Sequence, residues 1–234
     1  MTLGLEIRRA ALDDAAEIAR VNNSVWVGDD LKREVIAKAM QLPGHVGHVA
    51  VVDGAIVGFV DSFMTPTENG DLRWEVNLIG VLADYRGRGL AKALVFASNE
   101  AGRELGGSWA RAWIKVDNVA SQQTFTSCGY QVHEEPCDIY VAFGVVPAKY
   151  SGQTMAMPPQ THVIPVVTFQ YYGIWLEGEL LPETFASGQA MRVNKEGMIA
   201  GAVIPISQTD EIQAAIDAGY GLINRYQWWH IALV

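Results

Sequence analysis

Only two cysteines occur in the 234 residues, Cys128 and Cys137. Neither sits in a CxxC pair or at zinc-finger spacing, which excludes a disulfide framework or a structural zinc as the organising device. Both read as free thiols packed in the interior. Long apolar runs are missing too: stretches such as Met198 to Ile206 fall far short of the roughly 20 residues a membrane-spanning helix needs. The opening MTLGLEIRRAA holds no secretory apolar segment, so the expectation is a cytoplasmic protein without a membrane partner. Basic runs are also lacking. With a formal net charge of −9 and no Lys/Arg stretch able to follow a phosphate backbone, nucleic acid is excluded as the expected partner, and an amine fits the charge better. His45 and His48 have no third ligand nearby in sequence and are expected to be structural rather than metal-binding.

What is present is enough apolar sequence, half of all residues, for one large domain or one plus a small second. Residues 5–10 read as a strand, and Leu12, Ala15, Ile18 and Ala19 recur at helical spacing after it. A second helix spans Asp30 to Gln41, stopped by Pro43-Gly44. Two strands flank Asp53-Gly54, a hairpin dipeptide, and a third runs from Leu72 to Leu82. Leu90, Ala91, Leu94, Val95, Ala101 and Leu105 mark the face of a helix that Gly106-Gly107 ends. ARAWIKV is a strand, Asn118 to Cys128 a short helix, and Tyr130 to Phe143 a pair of strands. The order β-α-α-β-β-β-α-β-α-β-β specifies a mixed α/β (α+β) sheet rather than a uniform alternation. The division expected is a first domain over 1–147, a linker over 148–161 and a second unit over 162–234.

LIGVLADYRGRGLAKAL runs from a strand through a glycine turn into a helix. Gly87 and Gly89 lack a Cβ, so backbone N–H groups can converge on an anion while the helix beginning near Leu90 adds its positive end. A diphosphate suits that cradle, with Arg86 and Arg88 at its rim. Neither the dinucleotide GxGxxG pattern nor a P-loop fits, because Lys92 takes the third glycine position and no Gly-Lys-Ser/Thr follows.

The stretch instead resembles the acyl-CoA motif of the GNAT superfamily of N-acyltransferases, Gln/Arg-x-x-Gly-x-Gly/Ala, here Arg86, Gly89 and Ala91, preceded by Val81 and Tyr85. A second GNAT-like pattern follows at Asn118, Ser121, Phe125, Gly129 and Tyr130. The resemblance covers residues 3–145 in element order. It implies acetyl-CoA (CoA) as cofactor, with the backbone of Val81, Leu82 and Ala83 pairing with the pantetheine arm. It places the diphosphate on the amides of Arg86, Gly87, Arg88, Gly89, Leu90 and Ala91, with Asn118, Ser121 and Phe125 opposite. It also implies transfer of an acetyl group to a primary amine of a small molecule or peptide.

Glu75 stands six residues before Val81, where some members of the family carry a catalytic glutamate. Strand alternation puts Glu75, Asn77 and Ile79 on the face of Val81, so Glu75 is the expected general base. An ion-pair partner for Arg73 or Arg111 is the other reading of the same residue. Where many GNAT enzymes have an acidic tyrosine, this chain has Phe125, which cannot donate a proton; Tyr130 and Tyr140 are the substitutes to consider.

Beyond residue 161 the pattern is β-α-β-α-β again, the first strand placed over 162–176. Sliding 113–143 forward by 90 positions sets Gly129-Tyr130 on Gly219-Tyr220 and Gln123 on Gln213, the signature of a repeated half domain. Glu177 and Glu179 fall where the anion loop would be, so this half-GNAT-like unit is expected to hold no cofactor. Its aromatic residues and its exposed sheet face leave a homodimer open. A catalytically silent acyl-CoA-binding sensor or assembly module is the alternative to an enzyme.

Overall fold

The computed structural model describes residues 4–151 and 156–233. The first stretch runs β1 (Leu5–Arg9), α1 (Ala15–Val25), α2 (Arg33–Ala39), β2 (His45–Val52), β3 (Ala55–Pro66), β4 (Leu72–Val81) and α3 (Leu90–Glu104). It continues with β5 (Trp109–Lys115), α4 (Val119–Ser127), β6 (Gln131–Val132) and β7 (Cys137–Ala142). The second stretch holds β8 (Thr161–Val167), β9 (Tyr172–Gly178), α5 (Pro182–Met191), β10 (Ile199–Pro205), α6 (Thr209–Asp217) and β11 (Gly221–Ala232).

Local chemistry accounts for most boundaries. Asp53 and Gly54 both take positive φ, 49° and 84°, and turn β2 into β3. Helix α3 lies on β4 because residue 102 is glycine: a Cβ there would come 2.6 Å from the Trp74 ring. Ser98 on the same helix accepts the Trp74 indole N–H at 2.9 Å, which satisfies the one polar atom that this buried ring carries. The expected strand over 162–176 is in fact two, β8 and β9. Between them the Thr168 hydroxyl accepts the N–H groups of Gln170 and Tyr171 at 3.1 and 2.9 Å, a side-chain-driven turn with no Gly or Pro to announce it. Within the expected linker, residues 152–155 lie outside the described residues. Ahead of them a 3-10 turn, Ala148–Tyr150, buries Tyr150.

The strands form one 11-stranded sheet in the order β1-β2-β3-β4-β5-β11-β7-β10-β9-β8, with β6 beside β11. The order crosses the two stretches. β11, from the end of the chain, pairs with β5 from Trp109 to Lys115, while β7 pairs with β10. The cores follow suit. Trp229 and Leu233 complete the interior under α3 and α4, with Leu94, Val95 and Phe125. In return Tyr140 and Ala142 of β7 complete the interior of α5 and α6, with Leu176, Phe185 and Ile204. A third cluster joins α1 and α2 to the opposite face of β2 and β3 and takes in Phe169.

β10 and α6 begin and end 90 residues after β5 and α4. Their caps match as well: Tyr130 N–H donates to Phe125 O at 3.1 Å, and Tyr220 N–H to Ala215 O at 3.0 Å. Gly129 and Gly219 carry these turns at φ 89° and 86°.

A chain ending at residue 147 should therefore lose both the partner strand of β5 and part of the first core, and should aggregate or unfold without a cooperative transition. Size exclusion and thermal melting by circular dichroism test this; a soluble, cooperatively melting 1–147 chain would contradict it.

Candidate active site

β4 and β5 are parallel partners only over Arg73–Glu75 and Trp109–Arg111. Past that point they part, and β5 turns to β11 instead. The separation coincides with a bulge: Asp61 of β3 faces Leu78 and Ser62 faces Val76, which leaves Asn77 as an extra residue on β4. Two clefts open where the strands diverge.

The first, of about 680 Å³, is lined by Val81, Arg86, Gly87, Gly89, Leu90 and Ala91 on one side and by Asn118, Ser121 and Phe125 on the other. Gly87 and Gly89 hold φ of 73° and 78°, and a Cβ on either would meet nothing within 4 Å. Backbone conformation, not space, requires glycine there. The first helical bond of α3 runs from Ala93 N–H to Gly89 O. The amides of Leu90, Ala91 and Lys92 precede it, so they have no intrahelical carbonyl and face the cleft at the positive end of a 15-residue helix. This donor set fits a diphosphate. Across the cleft Asn118 caps α4, its Oδ1 accepting Ser121 N–H at 3.1 Å.

Three of the expected residues, Leu82, Ala83 and Arg88, are not in the lining of the first cleft. The Leu82 N–H is committed to Val57 O at 2.9 Å and its side chain packs into the cores on both faces of the sheet. Ala83 opens the 3-10 turn leading to Tyr85. Arg88 is exposed, its guanidinium over the Tyr85 ring at 5.1 Å and donating to Asp84 O. Arg86 bends back so that its Nε donates to Val81 O at 3.0 Å. Tyr85 of the motif lines the cleft, and Trp26, Gln123 and Thr124 do so without having been singled out. The last two are within the α4 pattern and were within reach of it; Trp26 comes from the end of α1, which only tertiary packing brings here.

Glu75 makes ion pairs with Arg73 and Arg111, the second of its two readings, and faces away from Val81. The Asn77 bulge shifts the alternation of β4, so Trp74 and Val76 before it share the α3 face with Ile79 and Val81 after it. Glu75 points to the opposite face and is 2% exposed. There its Oε1 accepts Arg73 Nε at 2.6 Å, Arg111 Nη2 at 2.9 Å and the Thr65 hydroxyl at 3.0 Å, and its Oε2 accepts Arg111 Nε at 3.1 Å. Glu177 of β9 closes the cluster, with Arg111 at 2.6 Å and Arg73 at 3.0 Å. Two positive and two negative charges balance in the interior. A carboxylate so occupied holds strands together and is poorly placed to take a proton.

The second cleft, about 440 Å³, borders this cluster, with Glu75 in its lining. The first half lines it with Trp26, Asp29 and Trp113, the second with Tyr171, Trp175 and Tyr226. Ile223, the extra residue in a bulge of β11 against β7, also reaches it. Both clefts share Trp26, Ile79, Asn118, Ser121 and Phe125. Tyr130, considered as an acid, is buried and donates to Asn99 Oδ1 at 2.7 Å; burial holds its phenol well above the usual range. Tyr140 is likewise buried, in the second core. Burial, then Tyr171 and Asp117, push Tyr226 up to about 12, so it stays protonated at neutral pH. His45 Nε2 lies 2.7 Å from Asp61 Oδ1 in a buried pair between the Phe63 and Phe169 rings. No group of three or more His, Cys, Asp or Glu able to hold a metal occurs among the described residues. Nor is any described helix long and apolar enough to cross a membrane.

Glu75→Gln should cost roughly 3 kcal/mol of stability, the scale for breaking a buried ion pair, as read by urea denaturation. Unchanged stability with turnover lost and restored at high pH would instead make Glu75 a base. Acid should act on the same cluster. Burial raises the Glu177 carboxyl, but Arg111 and Arg73 outweigh it and leave the group below its ordinary 4.5. Its contribution is thus complete above 4.5 and lost as pH falls through the lower folded value. His48, lowered to about 4 by burial and then by Arg9, adds a loss between its ordinary 6.5 and 4, where the unfolded chain binds the proton first. Stability should therefore fall steadily below pH ~6.5, with His48→Gln flattening the upper part and Glu177→Gln the part below.

No match to a curated protein was found. Among solved structures, the chain is similar to the GCN5-related glucosamine N-acetyltransferase region of a fungal multi-domain GH3 β-N-acetylglucosaminidase, at TM-score 0.67 and 12% identity over 99% of this chain. It spans 38% of that protein's length. A GCN5-related N-acetyltransferase from Sphaerobacter thermophilus superposes at TM-score 0.60 and 14% identity, over 98% of this chain and 96% of its own. A Salmonella typhimurium protein provisionally named an acetyltransferase, solved with its cofactor acetyl-CoA, matches at TM-score 0.50 and 21% identity over 60% of this chain and 87% of its own. The profile of the Acetyltransferase (GNAT) family matches residues 12–130, which contain the strand splay, the glycine turn and the Asn118 cap; the chain belongs to that family of acetyltransferases.

Proposed function

We propose that the protein is an acetyl-CoA-dependent N-acetyltransferase acting on a primary amine of a small molecule or peptide. The observation that carries this reading is the meeting of the two clefts at Trp26, Ile79, Asn118, Ser121 and Phe125. Acetyl-CoA supplies an activated thioester; its diphosphate belongs on the amides from Arg86 to Ala91, and the amine in the second cleft. Gly87 and Gly89 shape the anion cradle, and Asn118 and Ser121 border the passage between the clefts. The Tyr226 phenol, in the lining of the second cleft and protonated at neutral pH, offers a hydrogen-bond donor to the acceptor side. Glu75 serves by positioning: with Arg73 and Arg111 it fixes the last paired residues of β4 and β5 before the strands part. In this reading residues 162–234 are a half-GNAT-like unit that exchanges a strand with the first domain and supplies part of the acceptor wall.

Gly89→Glu should weaken acetyl-CoA binding at least tenfold, because an L side chain at φ 78° is strained and the added charge opposes a diphosphate. Calorimetric titration of acetyl-CoA checks it, beside a thiol-release assay across a panel of primary amines. Undiminished binding in Gly89→Glu would move the cofactor site elsewhere, and binding by the parent without turnover of any amine would favour the silent acyl-CoA sensor.

A further inference from the structure

The acceptor side of the site departs from what an amine-transfer reaction alone requires. Six aromatic side chains, Trp26, Trp113, Phe125, Tyr171, Trp175 and Tyr226, line the second cleft. Leu78, Ile139, Val141 and Ile223 fill the spaces between them. The polar lining is Asp29, Glu75, Asn77, Lys115, Asn118, Ser121 and Gln170, and most of it is already engaged: Asn77 donates to Asp61 Oδ2, Asn118 Oδ1 accepts the Ser121 N–H and Gln170 donates to Asp29. Glu75 is neutralised by its arginines. Asp29 Oδ2 is taken by the side-chain amides of Asn22 and Gln170, at 3.1 and 3.0 Å, while no bond from a described residue falls on Oδ1. The Tyr171 and Tyr226 hydroxyls and the buried Trp113 indole N–H have no hydrogen-bond partner among the described residues. Lys115 adds one positive charge, exposed at the mouth.

We propose that this cleft selects a monoamine whose body is aromatic or branched and apolar, with Tyr171, Trp175 and Tyr226 of the C-terminal half setting that selectivity. Aromatic faces take planar rings by offset or edge contact and take an ammonium over the ring face, and the second oxygen of Asp29 completes a single-cation anchor. An amino sugar brings several hydroxyls, each losing its water, to amide side chains already paired with Asp61, the Ser121 N–H and Asp29. A polyamine brings a second cation toward Lys115, which repels it. Half of the aromatic lining, three residues of six, thus follows the region matched by the family profile, which ends at residue 130.

The proposal rests on the acetyl-transfer reading for its chemistry, but recognition is tested without turnover. The full chain, saturated with CoA, is titrated calorimetrically with phenethylamine, glucosamine and spermidine, and acetyl-CoA is titrated separately. Phenethylamine is expected to bind at least tenfold more tightly than either of the others. Trp175→Ala should weaken phenethylamine binding tenfold or more with acetyl-CoA affinity unchanged. Should that variant not fold, Tyr171→Ser, in the β8–β9 turn, is expected to weaken it severalfold. Glucosamine or spermidine binding as tightly as phenethylamine, or phenethylamine affinity unmoved in every folded variant, overturns the proposal. Failure of acetyl-CoA to bind defeats the functional reading instead, and the amine titrations, run then on the protein alone, still judge this one.

Discussion

Four side chains, Arg73, Glu75, Arg111 and Glu177, meet in the interior where strands from both halves of the chain come together. Each charge there is expensive alone, and none can leave without stranding another. The cluster fixes Arg73 and Glu75 of β4 against Arg111 of β5 at the last point where those strands pair, and holds β9 over them through Glu177. Both clefts open where the strands part next to this clamp, and Glu75 itself lines the second.

The strand exchange has the same consequence at larger scale. With β11 beside β5 and β7 beside β10, neither half has a complete core of its own. An exposed edge on β5 would invite association, and β11 covers it with seven paired residues. In doing so it brings Ile223 and Tyr226 into the second cleft. Joining the halves and building the acceptor wall are one structural event.

Much of the cofactor side was legible in the sequence because it is local. The Arg86 to Ala91 turn, the helix after it and the Asn118 cap depend on residues within a few positions of one another, through glycine conformations and orphan amides. The face to which Glu75 points was not, although its arginine partners were, because alternation does not carry across Asn77 and a bulge leaves no mark in a run such as WEVNLIG. The β8–β9 turn escaped for a related reason: a threonine hydroxyl makes it, in a stretch that otherwise reads as strand.

By itself the sequence determined the order of elements from β1 to β7, the glycine turn ahead of α3 and the 90-residue recurrence of β5 and α4 in β10 and α6. All three follow from short-range periodicity and turn chemistry. Tertiary structure alone decided which strand lies beside β5, which way Glu75 faces and which aromatic residues enclose the second cleft. These depend on hydrogen-bond pairing and charge compensation between residues up to about a hundred positions apart, such as Arg73 and Glu177, and no local pattern encodes such partners.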